Sequence, residues 1–233
     1  MSKENFPTHS QSRIFLETEG DEWFLRNSAA LESSQAFRSV DFILSTIAPF
    51  KDRINNIIEV GCGPAHKLER LFIGLEARKG GGIDPSILSI EAARTRSVQL
   101  GIDLEMHVGI SSDLPFQTNV ADLVFLGFFL YLVPRDEMTK TVAEIDRILK
   151  PGGFLAIEDF DAPDKTQNAY KHDNRVVTFK EDYAKRFIEG FGYHLIEKHS
   201  YCHKFDSFAI DPDERIATTV LFKPLIPQSN QSE

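Results

Sequence analysis

The sequence predicts an α/β protein built on a doubly wound, mostly parallel sheet, and three observations lead there. Short apolar runs alternate with helix-forming stretches from Asn56 to Asp159. The first run, Ile57-Ile-Glu-Val60, breaks at Gly61-Cys62-Gly63, and helix formers resume after Pro64 and Ala65. An acidic residue, Asp84, closes the second run, 25 positions after Glu59. Strands alternating with helices imply parallel βαβ units with right-handed crossovers.

Taken in order, residues 1–50 read as an N-terminal helical segment that is either a lid or an extension packed on the core, 51–225 as the main domain and 226–233 as a disordered tail. Met1 to Gln11 and Pro227 to Glu233 are polar and expected to fray. After Gly20–Asn27 a helical segment runs to about Phe50, with Phe37, Val40, Phe42, Ile43 and Ile47 near helical spacing. Seven strands are expected: Asn56–Val60, Gly81–Asp84, Leu104–Val108, Ala121–Leu126, Phe154–Glu158, Tyr193–Tyr201 and Arg215–Phe222. The last two form a C-terminal antiparallel hairpin that closes the sheet. Helices are expected at Lys67–Leu75, Ser86–Leu100, Asp136–Leu149 and around Glu181–Glu189. Pro151-Gly152-Gly153 stops the third of these, because proline cannot continue a helix. A polar loop to Val177 separates the two halves of the pattern.

Composition narrows the function. At 233 residues, 42% hydrophobic and 26% charged, the chain reads as one globular domain with elaborations. A net charge of -9 disfavours a nucleic-acid partner. Two cysteines, Cys62 and Cys202, are too few for a disulfide scaffold or a zinc site and fit a reducing compartment. The first residues lack an apolar core of the secretory kind. No stretch reaches the roughly 20 apolar residues of a membrane span. The expectation is a cytoplasmic monomer or homodimer acting on a small molecule, with no membrane partner.

The chemistry sits at the glycine turn. Gly61 and Gly63 lack a Cβ, so the backbone turns sharply and a ligand can approach it. A dinucleotide fingerprint needs a third glycine where His66 stands, which argues against a nicotinamide oxidoreductase. Asp84 can accept hydrogen bonds from two ribose hydroxyls, or with Ser86 cap the following helix.

Glu59-Val-Gly-Cys-Gly63 resembles the E/D-x-G-x-G loop of class I S-adenosylmethionine-dependent methyltransferases of the type 11 kind, with Ala65 where a third glycine is common. The resemblance implies a Rossmann-like fold and S-adenosylmethionine as cofactor. It assigns Glu59, Gly61, Cys62 and Gly63 to the methionine end and Asp84, Pro85 and Ser86 to the ribose. Gly109-Ile-Ser-Ser-Asp-Leu-Pro-Phe116 resembles the family's G-D-A-E-x-L-P-F segment, with Ile110 replacing its aspartate. Adenine is then held by apolar contact and by backbone groups of Ile110 and Ser111. Asp122 matches the aspartate of the family's F-D-x-V strand, and Lys150-Pro-Gly-Gly153 its L-K-P-G-G turn. Leu126–Pro134 carries neither the proline-rich loop of nucleic-acid amine methyltransferases nor the acids of the metal-dependent ones, so no metal is expected. There Gly127 and Phe128 face the cofactor, and Phe128, Phe129 and Tyr131 line an acceptor site.

The resemblance covers roughly Arg53 to Asp159. A shorter one extends it. Gly20–Asn27 resembles the G-x-x-Y-x-x-R-N segment of methyltransferases of surface-polysaccharide and nonulosonic-acid pathways, with Trp23 for the tyrosine. It implies that Arg26 pairs with the cofactor carboxylate, that Trp23 covers the site, and that the acceptor is a sugar or sugar nucleotide. His172, Asp159 and Tyr131 are the candidate bases for a hydroxyl acceptor. The alternative function is a non-catalytic cofactor-binding regulator or assembly protein.

Overall fold

A computed structural model describes residues 10–33, 37–202, 204–205 and 207–225. Its strands are β1 (Asn56–Val60), β2 (Lys79–Asp84), β3 (Leu104–Val108), β4 (Ala121–Gly127), β5 (Leu149–Phe160), β6 (Thr166–Ala169), β7 (Val177–Lys180), β8 (His194–Cys202) and β9 (Arg215–Phe222). Seven of them form one sheet in the order β3-β2-β1-β4-β5-β9-β8, and β6 pairs with β7 separately. The first five strands of that order run parallel. β9 is antiparallel to β5, and β8 to β9. The expected Rossmann-like sheet and closing hairpin are therefore present.

The helices are α1 (Gln11–Ile14), α2 (Gly20–Ser33), α3 (Arg38–Ile47), α4 (His66–Gly74), α5 (Ile87–Leu100), α6 (Met138–Ile148) and α7 (Ala184–Phe191). They cover the sheet on both faces. Ile57 packs with Val40, Ile43 and Ile47 of α3, Leu68 and Leu71 of α4, and Ile90 of α5. Its neighbours Ile58 and Val60 point the other way, towards Met138, Val142 and Ile145 of α6 and Phe187 of α7. This alternation is the strand period of two. Each such buried aliphatic or aromatic side chain contributes about 1.5–3 kcal/mol over exposure. β2 carries Gly80, Gly81 and Gly82 because its neighbours fill the space side chains would take. A Cβ at Gly80 would lie 2.5 Å from Leu104, and one at Gly82 would lie 2.8 Å from the Cys62 sulfur.

Three details differ from the expectation. β5 begins at Leu149, not Phe154, because Lys150–Gly153 is drawn into the sheet as an irregularity rather than a free turn: Gly152 takes φ +79° and its N–H donates to the Lys223 carbonyl at 2.9 Å. The loop expected before Val177 contains the β6–β7 hairpin. Gln11, expected to fray, is buried; its amide donates to the Val177 carbonyl at 2.8 Å and accepts from the Val177 N–H at 2.9 Å. The expected tail at 226–233 lies outside the described residues.

Between α1 and α2, residues Phe15–Glu19 widen into a π-helical turn. It sets Gly20 against the start of α5: a Cβ there would lie 2.7 Å from the Phe15 carbonyl oxygen and 3.1 Å from the Ser86 nitrogen. Next to it, Asp21 accepts from the Ser86 hydroxyl at 2.7 Å and from the Leu88 N–H at 3.1 Å. The N-terminal helices are thus fastened to the N-terminus of α5. The sheet order reverses between β1 and β4, and at such a switch point a crevice opens beyond the strand ends.

Candidate cofactor and acceptor site

The chain turns sharply where β1 ends. Gly61 and Gly63 adopt φ +71° and +51°, and Ala65 joins them at +63° before α4 starts. A side chain at Gly61 would meet the Phe129 ring at 2.6 Å, whereas a Cβ at Gly63 would find its nearest neighbour, Trp23, at 4.0 Å. Asp84 clamps the turn. One of its carboxylate oxygens accepts the Gly63 N–H at 2.8 Å and the other the Ser86 N–H at 2.9 Å. Burial raises its pKa to about 6, against the pull of those two N–H groups.

Glu59 lies beneath the turn, almost wholly buried, and its Oε2 has no hydrogen-bond partner. Burial pushes its pKa well up, while the Lys67 ammonium draws it down. Gly127 at the end of β4 leaves room for this carboxylate, since a Cβ there would sit 2.6 Å from Glu59 Oε1. Lys67, in the first turn of α4, pairs with Glu158 of β5. Glu158 also accepts from the Ser39 hydroxyl at 2.8 Å. Burial would raise the Glu158 pKa, but Lys67, Ser39 and Tyr201 hold it below the usual value.

Beyond β4 the wall becomes aromatic. Phe128 sits at φ +65°, its ring centroid 5.0 Å from Tyr131 and 5.3 Å from Phe160. Asp159 holds the short turn behind them by accepting the Leu130 and Phe160 N–H groups, each at 2.8 Å. Burial lifts the Asp159 pKa to about 8 and also raises that of the Tyr131 phenol, which Asp159 pushes further.

These groups enclose a cavity of about 260 Å³. Of the residues nominated from sequence, Glu59, Gly61, Cys62, Gly63 and Gly127 line it. So do Asp84, Pro85, Ile110 and Ser111, and the aromatic residues Trp23, Phe128, Phe129 and Tyr131. Four nominees lie elsewhere. Ser86 is buried as the N-cap of α5, accepting from the Ser89 N–H at 3.0 Å. Arg26 pairs with Glu19, and its guanidinium is 3.5 Å from the Tyr170 hydroxyl. Asp159 stands behind the turn, with both oxygens engaged. His172 is exposed on the loop between β6 and β7, its ring 5.3 Å from that of Tyr170. Sequence reasoning passed over Ser12, Phe15, Leu31, Phe37 and Lys67, all of which line the cavity. Among the described residues no group of three or more acidic, histidine or cysteine side chains could hold a metal.

Residues 58–157 match the family model described as a methyltransferase domain. The chain carries a class I S-adenosylmethionine-dependent methyltransferase domain. It is 27% identical over 161 residues to a demethylmenaquinone methyltransferase of Lactiplantibacillus plantarum, covering 57% of this chain and 67% of that protein. A demethylmenaquinone methyltransferase of Listeria monocytogenes is 32% identical over 111 residues, 46% of each chain. The chain thus spans about half to two thirds of the curated relatives it matches. The fold is shared with Burkholderia thailandensis 1,6-didemethyltoxoflavin-N1-methyltransferase, solved with 1,6-didemethyltoxoflavin and S-adenosylhomocysteine bound. That likeness has a TM-score of 0.70 at 9% identity and covers 95% of this chain and 93% of the other.

The methyltransferase cavity fits S-adenosylmethionine on two observations. The orphaned Glu59 Oε2 is a buried acceptor suited to the ammonium at the methionine end. The open side of Gly63 is a backbone surface that a ligand can approach.

Proposed function

We propose that the protein methylates a planar, electron-rich ring of a small molecule. The observation that carries this reading is the trio Phe128, Phe129 and Tyr131, three aromatic side chains of one segment that all line the cavity. When bound, S-adenosylmethionine supplies a sulfonium methyl that is open to in-line displacement. Glu59 holds the methionine end, Asp84 accepts from ribose hydroxyls, and Ile110 and Ser111 flank the adenine. Trp23 and the helices of residues 11–33 act as a lid that excludes water from the reacting atoms.

Proton chemistry points the same way. Of the three candidate bases only Tyr131 lines the cavity, and burial holds its phenol in the neutral form. It can orient an acceptor by hydrogen bonding but is a poor base at neutral pH. An acceptor carbon or nitrogen that is already nucleophilic needs no stronger one. The relatives are named for demethylmenaquinone and the Burkholderia structure for 1,6-didemethyltoxoflavin, both conjugated ring compounds. A sugar or sugar nucleotide, the acceptor implied by the Gly20–Asn27 resemblance, ranks second, because that resemblance gives Arg26 to the cofactor carboxylate whereas Arg26 pairs with Glu19 and does not line the cavity. Both cysteines are free thiols, which fits the reducing cytoplasm as the place of work.

The test is transfer of labelled methyl from S-adenosylmethionine to a panel of dihydroxynaphthalenes, nitrogen heteroaromatics and nucleotide sugars. Uptake by one of the first two classes is expected. Uptake by nucleotide sugars alone would overturn the ring assignment. Tight cofactor binding without uptake by any class would favour a regulator that binds the cofactor.

A further inference from the structure

Within the cofactor reading above, we infer that Lys67, not Arg26, receives the carboxylate at the methionine end of S-adenosylmethionine. A carboxylate entering this cavity meets the buried acid Glu59 in its wall, with the half-buried Glu158 behind it, paired to Lys67. Like charges at short range are unfavourable there unless a cation lies between them. Among the described residues lining the cavity, Lys67 is the one lysine or arginine. Its place is set by the fold, for it stands in the first turn of α4, immediately after the Gly61–Ala65 turn, and its side chain is only 22% exposed.

Lys67 also has donors to spare. An ammonium carries three N–H groups, and Glu158 is its one carboxylate partner among the described ion pairs. It lies near enough to Glu59 to lower that carboxylate's pKa. Glu59 and Lys67 together therefore offer an acid and a base to the two ends of one amino-acid group. Arg26 is differently committed. It is held by Glu19, lies 3.8 Å from Glu22, and does not line the cavity.

Ligand truncation tests this by binding alone. S-adenosylhomocysteine carries the amino-acid end, whereas 5′-methylthioadenosine keeps adenine and ribose without it. Titration calorimetry of Lys67→Met is expected to show affinity for S-adenosylhomocysteine falling about ten- to hundred-fold, the value of a charge-assisted hydrogen bond. Affinity for methylthioadenosine should stay at the wild-type value, and Lys67→Arg should retain most of the preference for the longer ligand. The double variant Lys67→Met/Glu158→Gln, which removes the ion pair as a unit, should show the same split between ligands and so separates binding from misfolding. Arg26→Met should leave the ratio of the two affinities unchanged. Equal loss for both ligands in both Lys67→Met backgrounds, no loss in either, or a selective loss in Arg26→Met would overturn the assignment alone. Wild-type protein that bound neither ligand would instead overturn the cofactor reading, and the assignment with it.

Discussion

The two ends of the cavity are built by different means. At the cofactor end, the main chain does most of the work. Gly61 and Gly63 shape the turn, Asp84 locks it through two backbone N–H groups, and Gly127 leaves room for Glu59. In the aromatic part of the lining, side chains do it. Phe128, Phe129 and Tyr131 come from one segment, and Phe15, Trp23 and Phe37 come from parts of the chain far away in sequence. A backbone-built end tolerates little substitution and suits a ligand that never changes. A ring-built wall can be reshaped by exchanging side chains, so under the proposed function it is where acceptor choice is free to vary.

Four changes would break or sharpen this contrast. The largest effect is expected at Gly61. Gly61→Val puts a branched side chain at φ +71°, where its Cβ meets the Phe129 ring at 2.6 Å. Strain and overpacking should cost about 1–3 kcal/mol of stability each. Urea denaturation would measure that loss, and calorimetry should find cofactor binding abolished; near-normal binding would mean the turn is more plastic than its packing implies.

A middling effect is expected from Asp159, and it depends on pH. Its folded pKa, about 8, lies above the unfolded value of about 3.9. The folded state therefore holds the proton more tightly. The stability this confers is full below about pH 4, declines by about 1.4 kcal/mol per pH unit, and is gone above about pH 8. Paired carboxylates such as Glu158 act in the opposite direction, so the quantity to measure is the difference between wild type and Asp159→Asn. That difference should shrink steadily from pH 5 to 8 and then level off. A difference that does not vary with pH would show that Asp159 is ionised throughout.

The smallest effects are expected from the other two base candidates. Tyr131→Phe should raise KM for the acceptor by a few fold, about 1 kcal/mol for one lost hydrogen bond, with no new inflection in the pH profile of kcat. His172→Ala should leave both constants unchanged. A thousand-fold fall in kcat for either would restore it as a base.

The same contrast decides what could be read from the sequence. The glycine turn, Asp84 and the strand alternation were legible because each is local: a few adjacent residues dictate a turn, a cap or a buried strand. The aromatics at 128, 129 and 131 were legible as a segment, but nothing local revealed that Leu31 and Phe37 would join them. The β6 strand Thr166–Ala169 is fully exposed and lacks apolar alternation, so it read as loop. Lys67 was overlooked because a lysine in a helical first turn ordinarily faces water; only the arrangement of β1, β4 and β5 around it makes it a wall of the site. Arg26 carried a recognisable motif but was claimed by Glu19, an acid whose burial only the tertiary packing reveals.

The Asp21 carboxylate, which accepts from Ser86 and Leu88, joins two events that a ligand would otherwise meet separately. Moving the N-terminal helices outward would strip the start of α5 of an external cap, two residues from Asp84. A helix cap of this kind is usually worth about 1 kcal/mol. Asp21 lies next to Gly20, and Ser86 two positions from Asp84, both of which line the cavity, so loosening this catch would disturb the wall without removing any of its side chains.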